Sequence, residues 1–286
     1  MKTARDYDEP FEPESDSGGG PSFGLPPVRS VTRALLWTLG VIGVLGFLVG
    51  DMPGARSVYE LLALDPALWR EWSPFFPLWQ LVSYGFLHST RDLLHLLFNL
   101  LALYGFGSLF ESSFGPRRML WWFLGSLLVG GVVQLVFSLL VGAGAPTVGA
   151  SGAVLFLIVA VAVLQPNLPV FFLIVRLRLK TLALILVGID LLRLVFALKG
   201  ASGDVAFLVH LAGAALGFLA VRQRWVWIDP LAELESRREA RAVASREDDE
   251  RRLDALLERI HREGIGSLSA REREFLKRMS ARRGGG

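Results

Sequence analysis

Long apolar windows, separated by short polar or basic connections, fill the middle of the chain between a polar leader and a highly charged tail. The windows run from Ala34 to Val49, Leu93 to Phe110, Met119 to Val141, Val148 to Leu164, Leu179 to Leu198 and Val205 to Val221. Several approach the ~20 residues a helix needs to cross a hydrocarbon core. They predict an all-α polytopic membrane protein, a bundle of six transmembrane helices with a small helical tail. Residues 1–30 are expected to be a flexible cytoplasmic leader, 31–222 the six-span domain and 223–286 a cytoplasmic charged tail.

The connections carry an orientation. Arg29 and Arg33 precede the first window, Arg117 and Arg118 lie between the second and third, Arg176, Arg178 and Lys180 between the fourth and fifth, and Arg222 and Arg224 follow the sixth. The intervening connections are neutral or balanced, as in "GAGAPT" and "KGASGD". Basic residues stay in the cytoplasm, so both termini are expected there. The second, fourth and sixth spans then all begin at the outer face. His95 and Asn99, Ser151, and His210 fall early in those three spans, roughly 5 to 10 Å below the outer helix ends at 1.5 Å per residue. Polar groups at matched depth in a bilayer are costly and mark function or internal packing. The outer connection 50–92 is amphipathic and rich in Trp, Tyr and Phe, which suit the membrane interface.

In the tail, Leu253, Leu256, Leu257 and Ile260 form an apolar stripe that Gly264 ends. Ser269 and Glu272 have the spacing of a capping box opening a second helix with Phe275, Leu276 and Met279, so a helical hairpin is expected. His261, between arginines, is expected at its surface.

Composition narrows the chemistry. The chain is 52% hydrophobic with a net charge of +3, a mean hydropathy of +0.45 and an isoelectric point near 9.5. Its basic residues flank apolar spans or alternate with acids, so nucleic acid is not an expected partner. Cysteine is absent, which excludes thiolate chemistry, and with four histidines no metal or other cofactor is expected. The first 30 residues have no early apolar core, so neither a cleaved signal peptide nor an organelle leader is expected, and a bacterial plasma membrane is the simplest location.

The run Gly-Ala-Ser-Gly occurs twice, in "PTVGASGAVLFL" and in "LKGASGDVAFLVH". Ser151 of the first copy opens a helix, where unpaired N–H groups and the positive dipole end suit an oxyanion. Gly149 and Gly152 let the backbone turn closely around it. His210 stands above Gly213 and Gly217 at i, i+3 and i+7, a face that permits close approach to the Ser151 helix. That packing would set His210 as general base to Ser151 as nucleophile. His95 and Asn99, i and i+4 on one face, would join the Ser151 N–H in stabilising an oxyanion. The alternative is that these groups only tie helices together. Ser202 of the second copy reads as a turn. Asp190 and Arg193 read as an ion pair, with proton transfer the alternative, and His88 is expected to orient the loop before the second span or to hydrogen-bond near the site rather than to act as base.

The ordered segments "FLHSTRDLLHLLFNLLALYGFGSLFE", "PTVGASGAVLF" and "HLAGAALG" are similar to the rhomboid family of intramembrane serine proteases, over most of residues 30–222. The resemblance implies a Ser151–His210 dyad assisted by His95 and Asn99, and transmembrane proteins in the bilayer as substrates. It also implies a structural role for Glu111. Where rhomboids carry Trp-Arg in the first outer loop, this chain has Trp79 and Gln80. The tail is similar to a segment appended to some bacterial rhomboids. Competing classes are a non-catalytic binder of transmembrane helices, a transporter, which would need interrupted repeats, and a soluble esterase, which would need a strand before the nucleophile.

Overall fold

The computed structural model describes residues 27–50, 52–141, 145–172, 175–199, 206–229 and 232–284. Ser202, Asp204 and residues 1–26 of the expected leader lie outside the described residues. The chain divides into two units, Met1–Trp227 and Ile228–Gly286.

In the first unit, α1 (Ser30–Val49) leads into three short helices, α2 (Pro53–Leu62), α3 (Pro66–Glu71) and α4 (Gln80–Ser83). Then come α5 (Leu93–Ala102), α6 (Ser108–Val141), α7 (Ser151–Leu164), α8 (Leu179–Leu198) and α9 (Phe207–Arg222). Ser30–Val49, Leu93–Val141 and Leu179–Leu198 are long and apolar enough to cross a membrane. The protein is therefore a mostly helical, polytopic membrane protein.

Two details depart from the all-α expectation and its boundaries. Between α7 and α8, β1 (Pro169–Phe172) pairs antiparallel with β2 (Val175–Arg178), Pro169 opposite Arg178 and Val170 opposite Leu177. The connection that reads as a basic loop is thus a hairpin, in which an apolar β1 pairs with a β2 that alternates Val and Leu with Arg, over too few residues to stand out as strands. The second departure is the run from α5 through a π-helical turn, Leu103–Gly107, into α6, which is unbroken until Gly115. Gly115, at φ 83°, breaks the helix with a kink there, and Pro116 opens the next arm. A positive φ is free for glycine, and proline is favoured at the first helical position.

Helix α7 is the axis of the unit. Every residue from Gly152 to Ala162 is buried, the pattern of a helix that is apolar all round and enclosed by others. Phe156 stacks on Trp122 and meets Phe110 edge-on. By contrast Val44, Leu45 and Leu48 of α1 and Leu184, Leu192 and Phe196 of α8 face outward, where lipid is the solvent.

Glu111 ties the periphery to this core. Its carboxylate accepts from the backbone N–H groups of Val31 and Thr32 at 3.0 and 2.7 Å, and from the hydroxyls of Ser30 and Thr32 at 3.1 and 2.8 Å. It therefore satisfies donors that the first turn of α1 cannot pair, at the end where a negative charge is favoured.

In the second unit, α10 (Ala232–Glu263) turns at Gly264 into α11 (Ala270–Gly284). Leu253, Leu256, Leu268 and Phe275 are buried together, whereas Leu257 is exposed and leaves the expected stripe. It stands one residue past Leu256, about 100° around the helix from it. The capping box closes, with Ser269 N–H donating to Glu272 at 2.8 Å and Glu272 N–H to Ser269 Oγ at 3.3 Å. Arg259 also pairs with Glu272, and His261 is exposed.

Two outcomes follow. Glu111→Ala leaves the buried N–H of Thr32 without its acceptor and should destabilise the membrane unit by about 3 kcal/mol, read as a lower melting temperature in detergent, with Glu111→Gln intermediate. In the tail, the Ser269 N–H first, then its hydroxyl and Arg259, hold Glu272 down to about 2 from an ordinary 4.5. A depressed carboxylate contributes stability that is present above its unfolded value and lost as pH falls through the folded one. Melts of the tail followed by circular dichroism should weaken between pH 4.5 and 2, and Glu272→Gln should flatten that dependence.

Candidate active site

Ser151 is the first residue of α7, and the turn that delivers it is tied down from outside the helix. Leu64 and Thr147 exchange two backbone hydrogen bonds of 3.1 and 2.9 Å, and Gly149 N–H donates to the Tyr84 carbonyl at 2.9 Å. The Tyr84 hydroxyl in turn donates to the Leu127 carbonyl at 2.9 Å, deep in α6. Gly149 has φ 124°, a conformation that side chains rarely adopt.

Helix α9 lies against α7 with almost nothing between the backbones. A Cβ on Gly213 would run into the carbonyl oxygen of Gly152, and one on Gly217 would stand 2.6 Å from that of Phe156. Gly152 itself faces the side chain and carbonyl of Val209. The expected small-residue face is therefore in contact, and it delivers the imidazole. His210 Nε2 lies 2.6 Å from Ser151 Oγ. On its other side, His210 Nδ1 lies 3.1 Å from Asp190 Oδ2 of α8. Asp190 also meets Arg193, Oδ1 to Nη1, at 3.6 Å. The expected ion pair is present, but its acid makes a shorter contact with His210.

His95 approaches from α5. The point where a Cβ on Gly149 would stand is 3.4 Å from His95 Nε2 and 3.7 Å from Ser151 Oγ, so the missing side chain leaves a recess between imidazole and hydroxyl. Asn99 is buried one turn further along α5, and its Nδ2 donates to the His95 carbonyl at 3.0 Å. That bond turns the amide back along its own helix and leaves it a second N–H. Asp92 caps the helix by accepting from His95 N–H at 3.0 Å.

His88 is 2% exposed, with its ring 5.9 Å from that of His95. Burial, and secondarily the His95 charge, push it down to about 4. It is neutral at physiological pH and stands beside His95, outside the Ser151–His210 contact.

The loop between α1 and α5 is anchored by a residue whose role was not evident from sequence. Buried Gln80 accepts from Asp65 N–H and Trp69 Nε1, both at 3.1 Å, and donates from Nε2 to the Leu61 carbonyl at 3.0 Å. Trp79 Nε1 donates to the same carbonyl at 3.0 Å, and Arg70 reaches the Ser138 carbonyl of α6 at 3.0 Å. A neutral amide with one acceptor and two donors thus holds the loop where a guanidinium would offer donors alone. Its signal in the sequence was a glutamine among apolar and aromatic residues.

A serine at a helix N-terminus, hydrogen-bonded to a histidine inside a membrane bundle, has the form of an intramembrane serine hydrolase site. Residues 76–225 match the Rhomboid domain, and the chain belongs to that family. Residues 239–282 match DUF6576, a family of unknown function. Family membership and the Ser151–His210 contact together support a serine-protease function.

The α7–α9 contact is open to test. Gly213→Ala should force the two backbones apart and reduce proteolysis by about 10²-fold, since a misplacement near 1 Å costs that much. Kinetics on a transmembrane substrate in detergent would measure it.

Proposed function

We propose that the protein is an endopeptidase of the bilayer that cuts transmembrane proteins near the outer face, with Ser151 as nucleophile and His210 as general base. The observation that carries this reading is the 2.6 Å contact between Ser151 Oγ and His210 Nε2. His210 takes the hydroxyl proton as Oγ attacks the peptide carbonyl. It then returns that proton to the leaving amine as the C–N bond breaks, and activates a water that releases the acyl group. The Ser151 N–H, the His95 ring and the free N–H of Asn99 serve the oxyanion, while Gly149, Gly152, Gly213 and Gly217 are structural.

The membrane domain is residues 31–222 with six crossings, the break at Gly115 dividing 93–141 in two, and the tail is 223–286. Helix α7, about 21 Å long at 1.5 Å per residue, is too short to span alone. Enclosed by protein, it need not, and its N-terminus stays below the outer surface within reach of water. The basic connections support cytoplasmic termini. Substrate helices must uncoil locally before a carbonyl reaches Ser151, so small or helix-breaking residues near the cut are expected.

The test is cleavage of a panel of transmembrane substrates by purified variants. Ser151→Ala and His210→Ala should be folded but silent, Ser202→Ala should cut like wild type, and His95→Ala should lose about 10² to 10³ in kcat. Wild-type cleavage by Ser151→Ala would refute the reading.

A further inference from the structure

Asp190 belongs to neither the lipid face nor the apolar core. It sits in an apolar helix, α8, yet is 4% exposed, and its carboxylate lies at the far side of the imidazole that touches Ser151. Buried ionisable groups in a membrane span are expensive and need a partner. Arg193 is a weak one, because it is 3.6 Å away and its side chain is 61% exposed, and an exposed ion pair contributes little. His210 Nδ1 is nearer, at 3.1 Å, and its side chain is only 18% exposed.

The consequence is chemical. A neutral imidazole carries one N–H, and the hydrogen bond at one ring nitrogen decides which form is present. A carboxylate only accepts, so beside Asp190 the proton belongs on Nδ1. Nε2 is then left with its lone pair toward the Ser151 hydroxyl, the form a general base requires. Once the serine proton has moved to Nε2, the imidazolium donates its Nδ1–H to the same carboxylate, which stabilises the charge without taking the proton.

We propose that Asp190 is a positioning residue that sets the tautomer of His210, making the site a Ser151–His210–Asp190 triad drawn from three helices. The proposal rests on the reading of Ser151 as nucleophile and His210 as base. Its test uses full-length protein in detergent, a fluorophosphonate probe that reacts with activated serines, and a transmembrane substrate. Asp190→Asn should lower kcat by at least about 10²-fold with KM within about threefold, and slow labelling of Ser151 in parallel. Asp190→Glu should recover part of the loss, and Arg193→Gln should stay within about threefold of wild type. With ¹⁵N-histidine, wild-type His210 should show a protonated Nδ1 and a bare Nε2, assigned through His210→Ala, and Asp190→Ala should shift the proton toward Nε2.

Wild-type labelling and kcat in Asp190→Asn would overturn the proposal. So would an equal loss in Arg193→Gln, or a wild-type His210 protonated on Nε2; that last reading needs no variant to fold. Absence of label on Ser151 in the wild type would instead strike the nucleophile assignment, so the two failures are separable.

Discussion

Everything at the site depends on how closely α9 can approach α7. Gly213 faces the Gly152 carbonyl with no room for a methyl group between them. Three residues before Gly213 and one residue before Gly152, the same two backbones carry His210 and Ser151. The 2.6 Å hydrogen bond is therefore a by-product of backbone packing. In a bilayer, where lipid tails are as apolar as leucine, such close contact between small residues is a main source of helix association. The force that assembles the bundle is also the one that brings Ser151 and His210 together.

The rest of the unit braces that contact. Glu111 anchors the start of α1 to the end of the α5 run, Tyr84 holds both the Gly149 turn and α6, and Gln80 gathers the loop between α1 and α5. Each is a buried polar group placed where a helix end or a turn leaves backbone groups unpaired. Such groups are costly without partners, so each brace also specifies a single arrangement.

Much of this was legible in the sequence, for physical reasons. Hydropathy marks the spans because lipid demands apolar residues of sufficient number, and α8 runs over the very window that the sequence marks, Leu179–Leu198. Basic connections and helix parity led to the expectation that Ser151, His95 and His210 lie near one another, and the structure brings His210 onto Ser151 and His95 beside the Gly149 turn; the i, i+3, i+7 spacing turned His210 and its glycines to one face. What stayed hidden were contacts between distant segments. Arg193, one turn away, was the visible partner for Asp190. His210, twenty residues on, became a partner only through the packing of α8 on α9. The direction of the Asn99 amide and the hub at Gln80 were hidden for the same reason, since a side chain's rotamer answers to neighbours that the local pattern does not contain.

Asp190 and Arg193 also bear on how the chain is made. A carboxylate in the middle of a span opposes partition into lipid by about 2.5 to 3.5 kcal/mol. Synthesis delivers α8 before α9, so in a newly made α8 His210 is not yet in place beside Asp190. Arg193 is, one turn along the same helix. The pair gives α8, whose most apolar window has a mean hydropathy of 2.3, opposing charges side by side within a single helix. Arg193 is thereby a counterion that α8 carries within itself, independent of α9.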